Sequence, residues 1–134
     1  MKRRPRSSAG RVAVLAAALV ATPILHGLSF PTARLAPLAW IAFVPWFVAL
    51  RIARPRPAMV LTVLVTLAGT YFVANWLPRA VANYYMQPAV VGFGLFVGAY
   101  FVTLAPWCVG FAASYRLMAR RWSRLLPFGV GAAW

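Results

Sequence analysis

The sequence predicts an all-α, polytopic integral membrane helix bundle with four complete transmembrane helices and a partial fifth. Of the 134 residues, 63% are hydrophobic and only 10% are charged, whereas an ordinary soluble domain carries about 25% charged residues of both signs. The apolar residues form long uncharged runs, and the fourteen Lys and Arg sit between those runs. There is no Asp or Glu at all, so the positive charge is unbalanced and confined to connecting segments.

Residues 1–11, MKRRPRSSAGR, form a basic tail with five positive charges, expected to be flexible and solvent-facing. Span 1 runs from Val12 to Phe30 without a formal charge; at 1.5 Å per residue it is about 28 Å long, close to the hydrocarbon thickness of a bilayer. A basic start and an apolar core also suit a signal peptide, but no small-residue cleavage site follows, so the segment reads as a retained helix. Span 2, Leu35 to Leu50, is shorter and carries Pro37, Pro45, Trp40 and Trp46; membrane helices accept such prolines where neighbours satisfy the freed carbonyls.

Arg51 to Pro57, RIARPRP, packs three arginines and two prolines together and reads as a loop. Span 3, Ala58 to Leu77, ends at Asn75 and Trp76, residues suited to the interface. Arg79 to Pro88, more polar and holding Tyr84 and Tyr85, reads as a loop along the membrane surface. Span 4, Ala89 to Tyr115, is longer than one crossing requires and must tilt, kink near Pro106 or extend past the lipid. Arg116, Arg120, Arg121 and Arg124 then form a basic loop. The apolar run from Leu125 to Trp134 is too short to cross as a helix and reads as a fifth crossing cut short.

The tail, the second loop and the fourth loop hold twelve of the positive charges, and only Arg34 and Arg79 fall in the others. By the positive-inside rule the N-terminus is cytoplasmic. Merging or splitting any span would put strongly basic loops on both sides, which supports the count of four.

The residues exclude much chemistry. Without a carboxylate side chain, this chain cannot by itself build a paired-carboxylate glycosidase, an Asp-supported triad or a carboxylate metal site. One histidine, His26, and one cysteine, Cys108, cannot make a zinc site or an internal disulfide. Hence no catalytic, metal-binding or cofactor-binding residue is assigned. Cys108 lies among Pro106, Trp107, Val109 and Gly110 with no base or cation to activate it, and reads as an inert thiol. Gly92, Gly94 and Gly98 have a superficial likeness to a dinucleotide fingerprint, but they lie within an apolar helix rather than at a strand-to-helix turn. Gly94 and Gly98 are instead expected to form a small-residue face for helix packing.

His26 is an ionisable group within a span and is expected near its outer end, hydrogen-bonded at the interface. Asn75 and Trp76 are expected to anchor span 3 at the interface or to line a lipid groove. The arginine clusters set topology, with binding of anionic headgroups as the alternative. Nucleic-acid binding is not expected, because the arginines are spread over three segments and no fold for base readout is visible.

The order of these features resembles that of a known family. Leu28 to Pro31 (LSFP) and Leu35 to Arg51 (LAPLAWIAFVPWFVALR) resemble the first two membrane spans of bacterial apolipoprotein N-acyltransferases. The likeness continues in Asn75 and Trp76, in Ala99 to Pro106 (AYFVTLAP) and in Gly131 to Trp134 (GAAW). The resemblance implies an enzyme that moves an acyl chain from a membrane phospholipid to the amino group of a lipoprotein's lipidated N-terminal cysteine, at the outer face of the inner membrane. In that family a nitrilase-like domain supplies a Glu, Lys and Cys triad; no position here matches those residues, and Cys108 is not carried over as the nucleophile. The resemblance therefore implies an N-terminal membrane portion, inactive alone, that anchors the enzyme and forms one wall of a lipid-access groove. Its partners would be membrane phospholipid and, for the full-length enzyme, the lipoprotein substrate; no oligomeric state is assigned. The rival reading is a complete small polytopic membrane protein acting as a transporter half or packing subunit.

Overall fold

A computed structural model describes residues 8–30 and 33–121. The expected partial fifth span, Leu125 to Trp134, and most of the basic tail lie outside the described residues. Among those described the secondary structure is helical, in the order α1 (Ser8–Ser29), a 3₁₀ turn (Ala33–Leu35), α2 (Leu38–Ala42), α3 (Val44–Ile52), α4 (Pro55–Ala74), α5 (Trp76–Tyr84) and α6 (Ala89–Arg121). Among the described residues three stretches are long and apolar enough to cross a membrane: Ala9–Ser29, Pro55–Ala74 and Ala89–Ala119.

The chain divides into two compact units, residues 1–75 and 76–134. In the first, α1 is the central element and packs against α2, α3 and α4. Its inward face carries Ala18, Thr22 and Pro23, all buried. The face follows helical spacing, which sets residues three and four apart side by side. From α4 come Leu61, Thr62, Val65 and Gly69, and from α2 and α3 come Ala42, Trp46, Ala49 and Leu50. The outward faces remain apolar: Val12, Val20, Ile24, Trp40 and Val60 are exposed, the pattern of helices whose surroundings are lipid.

The second expected span is not one helix. It is broken at Phe43 into α2 and α3, with Pro45 in the first turn of α3. Proline has no N–H to continue the ladder and its ring crowds the preceding turn. The apolar stretch Leu38–Ile52 is accordingly short, about 22 Å at 1.5 Å per residue against a hydrocarbon core of about 30 Å. The loop expected at Arg51 to Pro57 is also shorter than its charges suggest. Pro55 opens α4 from an extended Arg54, and Ala58 N–H donates to the Arg54 carbonyl at 3.0 Å. Proline at the first helical position gives up only an N–H that would have been unpaired.

Two further expectations are corrected. The segment Arg79 to Pro88, expected as a loop, is helical through Tyr84 as the larger part of α5. That helix closes when Gln87 N–H donates to the Ala82 carbonyl at 2.8 Å and Met86 N–H to Asn83 at 3.3 Å. Met86 takes the left-handed conformation this closure needs, with φ 53°. The basic loop expected after span 4 is helical through Arg121, because α6 runs on past Tyr115 and Arg116. Arginine is a good helix former, so charge marks where a helix leaves the lipid without marking where it ends.

In the second unit α5 packs on α6. The contact is close because Gly92 is buried without a side chain: a Cβ there would fall on the Pro78 carbonyl oxygen and lie 3.2 Å from Ala82 Cβ.

Candidate functional site

Two places concentrate the polar and aromatic groups singled out above, one in each unit. In the first unit an aromatic seam starts at His26. Its ring meets Phe30 edge-on at a centroid distance of 5.0 Å and Phe43 at 5.0 Å with a tilt of 54°. Phe43 then meets Trp46 at 5.9 Å, and Trp46 stacks on Phe47 at 5.2 Å. Edge-on and tilted pairs at these separations are the favoured arrangements of aromatic rings.

The seam is tied to α4 by one polar contact. Trp46 Nε1–H donates to Thr62 Oγ1 at 3.2 Å, and the Thr62 hydroxyl donates to the Ala58 carbonyl at 2.9 Å. Both residues are buried, so each hydrogen bond removes the cost of an unpaired group in an apolar interior. Thr66 and Thr70 repeat the pattern up α4, donating to the Thr62 and Thr66 carbonyls at 2.7 and 2.8 Å.

His26 is half-buried and lies where α1 meets Gly69; a Cβ on Gly69 would lie 3.4 Å from His26 Cδ2. One residue further along α1, Gly27 leaves room for Phe72, whose Cβ would be only 2.8 Å from a Cβ at position 27. The side-chain hydrogen bond expected of His26 is not formed at Nδ1, which is buried with no partner among the described residues. Asn75 caps the end of α4 in an exposed position, with Nδ2–H donating to the Phe72 carbonyl at 3.0 Å. His26 and Asn75 share no hydrogen bond.

In the second unit, Trp76 opens α5 and is exposed. Beyond it a cleft of ≈ 380 Å³ is lined by Val81, Ala82, Tyr85, Gln87, Val91 and Leu95. Its walls are mostly apolar, with Gln87 and Tyr85 as the lining residues that carry polar side-chain groups. Gly94 and Gly98, expected to pack, are exposed, and nothing lies within 4 Å of a Cβ at either position. The glycine that makes a close helix contact here is Gly92, two residues before.

Cys108 is partly buried on α6. Among the described residues no three His, Cys, Asp or Glu come together as a metal site. Sequence reasoning did not find the Trp46–Thr62 bond, the Gly27–Phe72 approach or the cleft. The spacing of Thr62, Thr66 and Thr70 was an available signal for the ladder.

Comparison with known proteins adds a separate line. The model of the apolipoprotein N-acyltransferase N-terminal domain family matches residues 22–134. A curated relative, the apolipoprotein N-acyltransferase of Geobacter metallireducens, is 36% identical over 76 residues, which make up 57% of this chain and 15% of the relative. The chain thus aligns with a small part of that relative's length. No solved structure matches.

Proposed function

The chain belongs to the apolipoprotein N-acyltransferase N-terminal domain family, and from that premise we propose that it supplies the N-terminal membrane anchor of a phospholipid-to-lipoprotein acyltransferase of the bacterial inner membrane. The observation that carries this reading is the family match over residues 22–134, from the middle of α1 to Trp134. The full reaction would move a phospholipid acyl chain to the amino group of a lipoprotein's N-terminal cysteine. These 134 residues contain no Asp or Glu, so a carboxylate base for that transfer would have to come from elsewhere, and the role of this chain is anchoring and lipid contact.

In this reading the tail is cytoplasmic, since twelve of the fourteen positive charges then face inward. Four crossings follow if α2 and α3 together pass the bilayer, and the short Leu38–Ile52 stretch is accommodated by local thinning of the lipid. His26, held between Phe30 and Phe43, faces protein, while Asn75 and Trp76 meet the headgroup level.

Two measurements test the proposal. The purified chain in phospholipid vesicles, offered a diacylated lipopeptide and a phospholipid with a labelled acyl chain, is expected to transfer no label; transfer would overturn the anchor role. A periplasm-active reporter fused after Arg54 is expected to stay inactive; an active one would overturn the four-crossing topology. A second reading, as a packing subunit, is favoured by the open Gly94 and Gly98 face. It requires a discrete oligomer in detergent that Gly98→Leu dissociates.

A further inference from the structure

Four arginines of the first unit come from separate places in the sequence. Arg11 lies near the start of α1, Arg51 in the last turn of α3, Arg54 immediately before α4 and Arg56 in its first turn. The fold brings these places to one end. Gly27 meets Phe72, and Gly69 lies against Pro23 and His26, so the C-terminal ends of α1 and α4 are together. Ala18 and Thr22 of α1 and Ala58, Leu61 and Val65 of α4 are buried along the rest of the two helices, so the pair packs lengthwise and parallel. Counted back from the level of Gly69 and His26 at 1.5 Å per residue, Arg11, Arg54 and Arg56 all lie about 20–22 Å away. Arg51 is joined to Arg54 through Ile52 and Ala53, and all four arginines are exposed.

The positive charge at this end is compounded by the helices themselves. A helix N-terminus carries positive partial charge, which favours anions and disfavours cations. The first turns of α1 and α4 nevertheless hold no acidic residue, and the whole chain has no Asp or Glu, so no side chain of these 134 residues supplies the counter-charge. The apolar stretches long enough to cross a membrane begin at Ala9 and Pro55, beside these arginines. The cluster therefore lies where crossing helices leave the hydrocarbon and meet the headgroups. The anions held at that depth are lipid phosphates, whose oxygens match the paired N–H donors of a guanidinium group.

We propose that Arg11, Arg51, Arg54 and Arg56 form one binding surface for the phosphate of an anionic phospholipid headgroup, at the shared N-terminal end of α1 and α4. The positive-inside rule counts the charges of each connecting segment and is indifferent to whether Arg11 and Arg54 come together; a headgroup site requires it. The surface depends on the chain crossing a membrane and not on the anchor role, which the label-transfer assay tests separately.

The full chain in neutral detergent, titrated with phosphatidylglycerol or with phosphatidylcholine of the same acyl chains, is read by native mass spectrometry as the population of the first lipid adduct. Orientation in a bilayer does not enter this measurement. The native chain is expected to take phosphatidylglycerol at least about fivefold more tightly than phosphatidylcholine, and Arg11→Gln and Arg56→Gln are each expected to lower that preference about twofold to fivefold. The quadruple variant Arg11→Gln, Arg51→Gln, Arg54→Gln and Arg56→Gln should lose the preference while taking up phosphatidylcholine as the native chain does. Replacing Lys2, Arg3, Arg4 and Arg6 by Gln removes the same number of charges and should leave the preference in place. A native chain without the preference overturns the site, as does a quadruple variant that keeps it, an Arg11→Gln variant that is unaffected, or a tail variant that loses as much as the quadruple one. Displacement of the phosphatidylglycerol adduct by an equal concentration of glycerol phosphate would overturn the lipid as the source of the anion.

Discussion

Substituting Gly92 by alanine tests the α5–α6 packing at its tightest point. The new Cβ would fall on the Pro78 carbonyl oxygen, 3.0 Å from the Pro78 carbonyl carbon and 3.2 Å from Ala82 Cβ. Two of these three atoms are backbone, and Pro78 and Ala82 are buried, so no flexible side chain can swing away. Overpacking of this kind costs about 1–3 kcal/mol, and a backbone obstacle puts it at the upper end. Helix propensity returns about 0.8–1 kcal/mol when glycine becomes alanine. The net destabilisation is roughly 2 kcal/mol, or roughly thirtyfold in the opening equilibrium of α5. The control is Gly94→Ala, where nothing lies within 4 Å of the added Cβ and only the propensity gain remains. Amide hydrogen exchange across Ala80 to Tyr85 in detergent reads both. Gly92→Ala should accelerate exchange roughly thirtyfold, and Gly94→Ala should leave it unchanged or slow it. Unaltered exchange in the first variant, or acceleration in the second, refutes the assignment of Gly92 as the packing glycine.

In the first unit, Gly27→Ala forces α1 and Phe72 apart and should lower stability by about 1–3 kcal/mol, measured by denaturant titration followed by circular dichroism. Trp46→Phe should cost about 0.5–1.5 kcal/mol for the lost bond to Thr62, whereas Thr62→Val, which strands a buried indole N–H, should cost about 1–3 kcal/mol. The double variant should be less destabilised than the sum of the two; additivity would mean that the bond contributes nothing. Met86→Gly relieves a left-handed residue and should stabilise the end of α5 by about 1 kcal/mol, seen as slower exchange of the Gln87 amide.

The long helices were legible because hydrocarbon thickness imposes a minimum length of uncharged sequence, and α1, α4 and α6 each meet it. What escaped is what charge and hydropathy do not encode. The run from Leu35 to Leu50 reads as one span, yet Pro45 breaks it at Phe43, and hydropathy is indifferent to that break. Trp76 to Tyr84 is short and carries Arg79 and Asn83, so a window long enough to detect a span averages it away, although Pro78 and Ala82 on one face were a signal for a packed helix. Gly92, Gly94 and Gly98 share one helix, and spacing alone cannot say which side α5 covers. The seam around His26 joins residues from α1, α2–α3 and α4; its composition was visible, but its assembly depends on long-range packing.

The threonine ladder of α4 has a consequence for how this helix reaches its place. A hydroxyl closed onto its own backbone leaves only a methyl group for the surroundings to meet. Thr70, bonded in this way, therefore partitions nearly as a valine would. At that position α4 is more oily than a residue-by-residue scale indicates, and Thr70→Val should leave insertion efficiency almost untouched. Thr62 is different because the same oxygen also accepts from Trp46, so its hydroxyl serves its own helix and α3 at once and valine there would not be neutral.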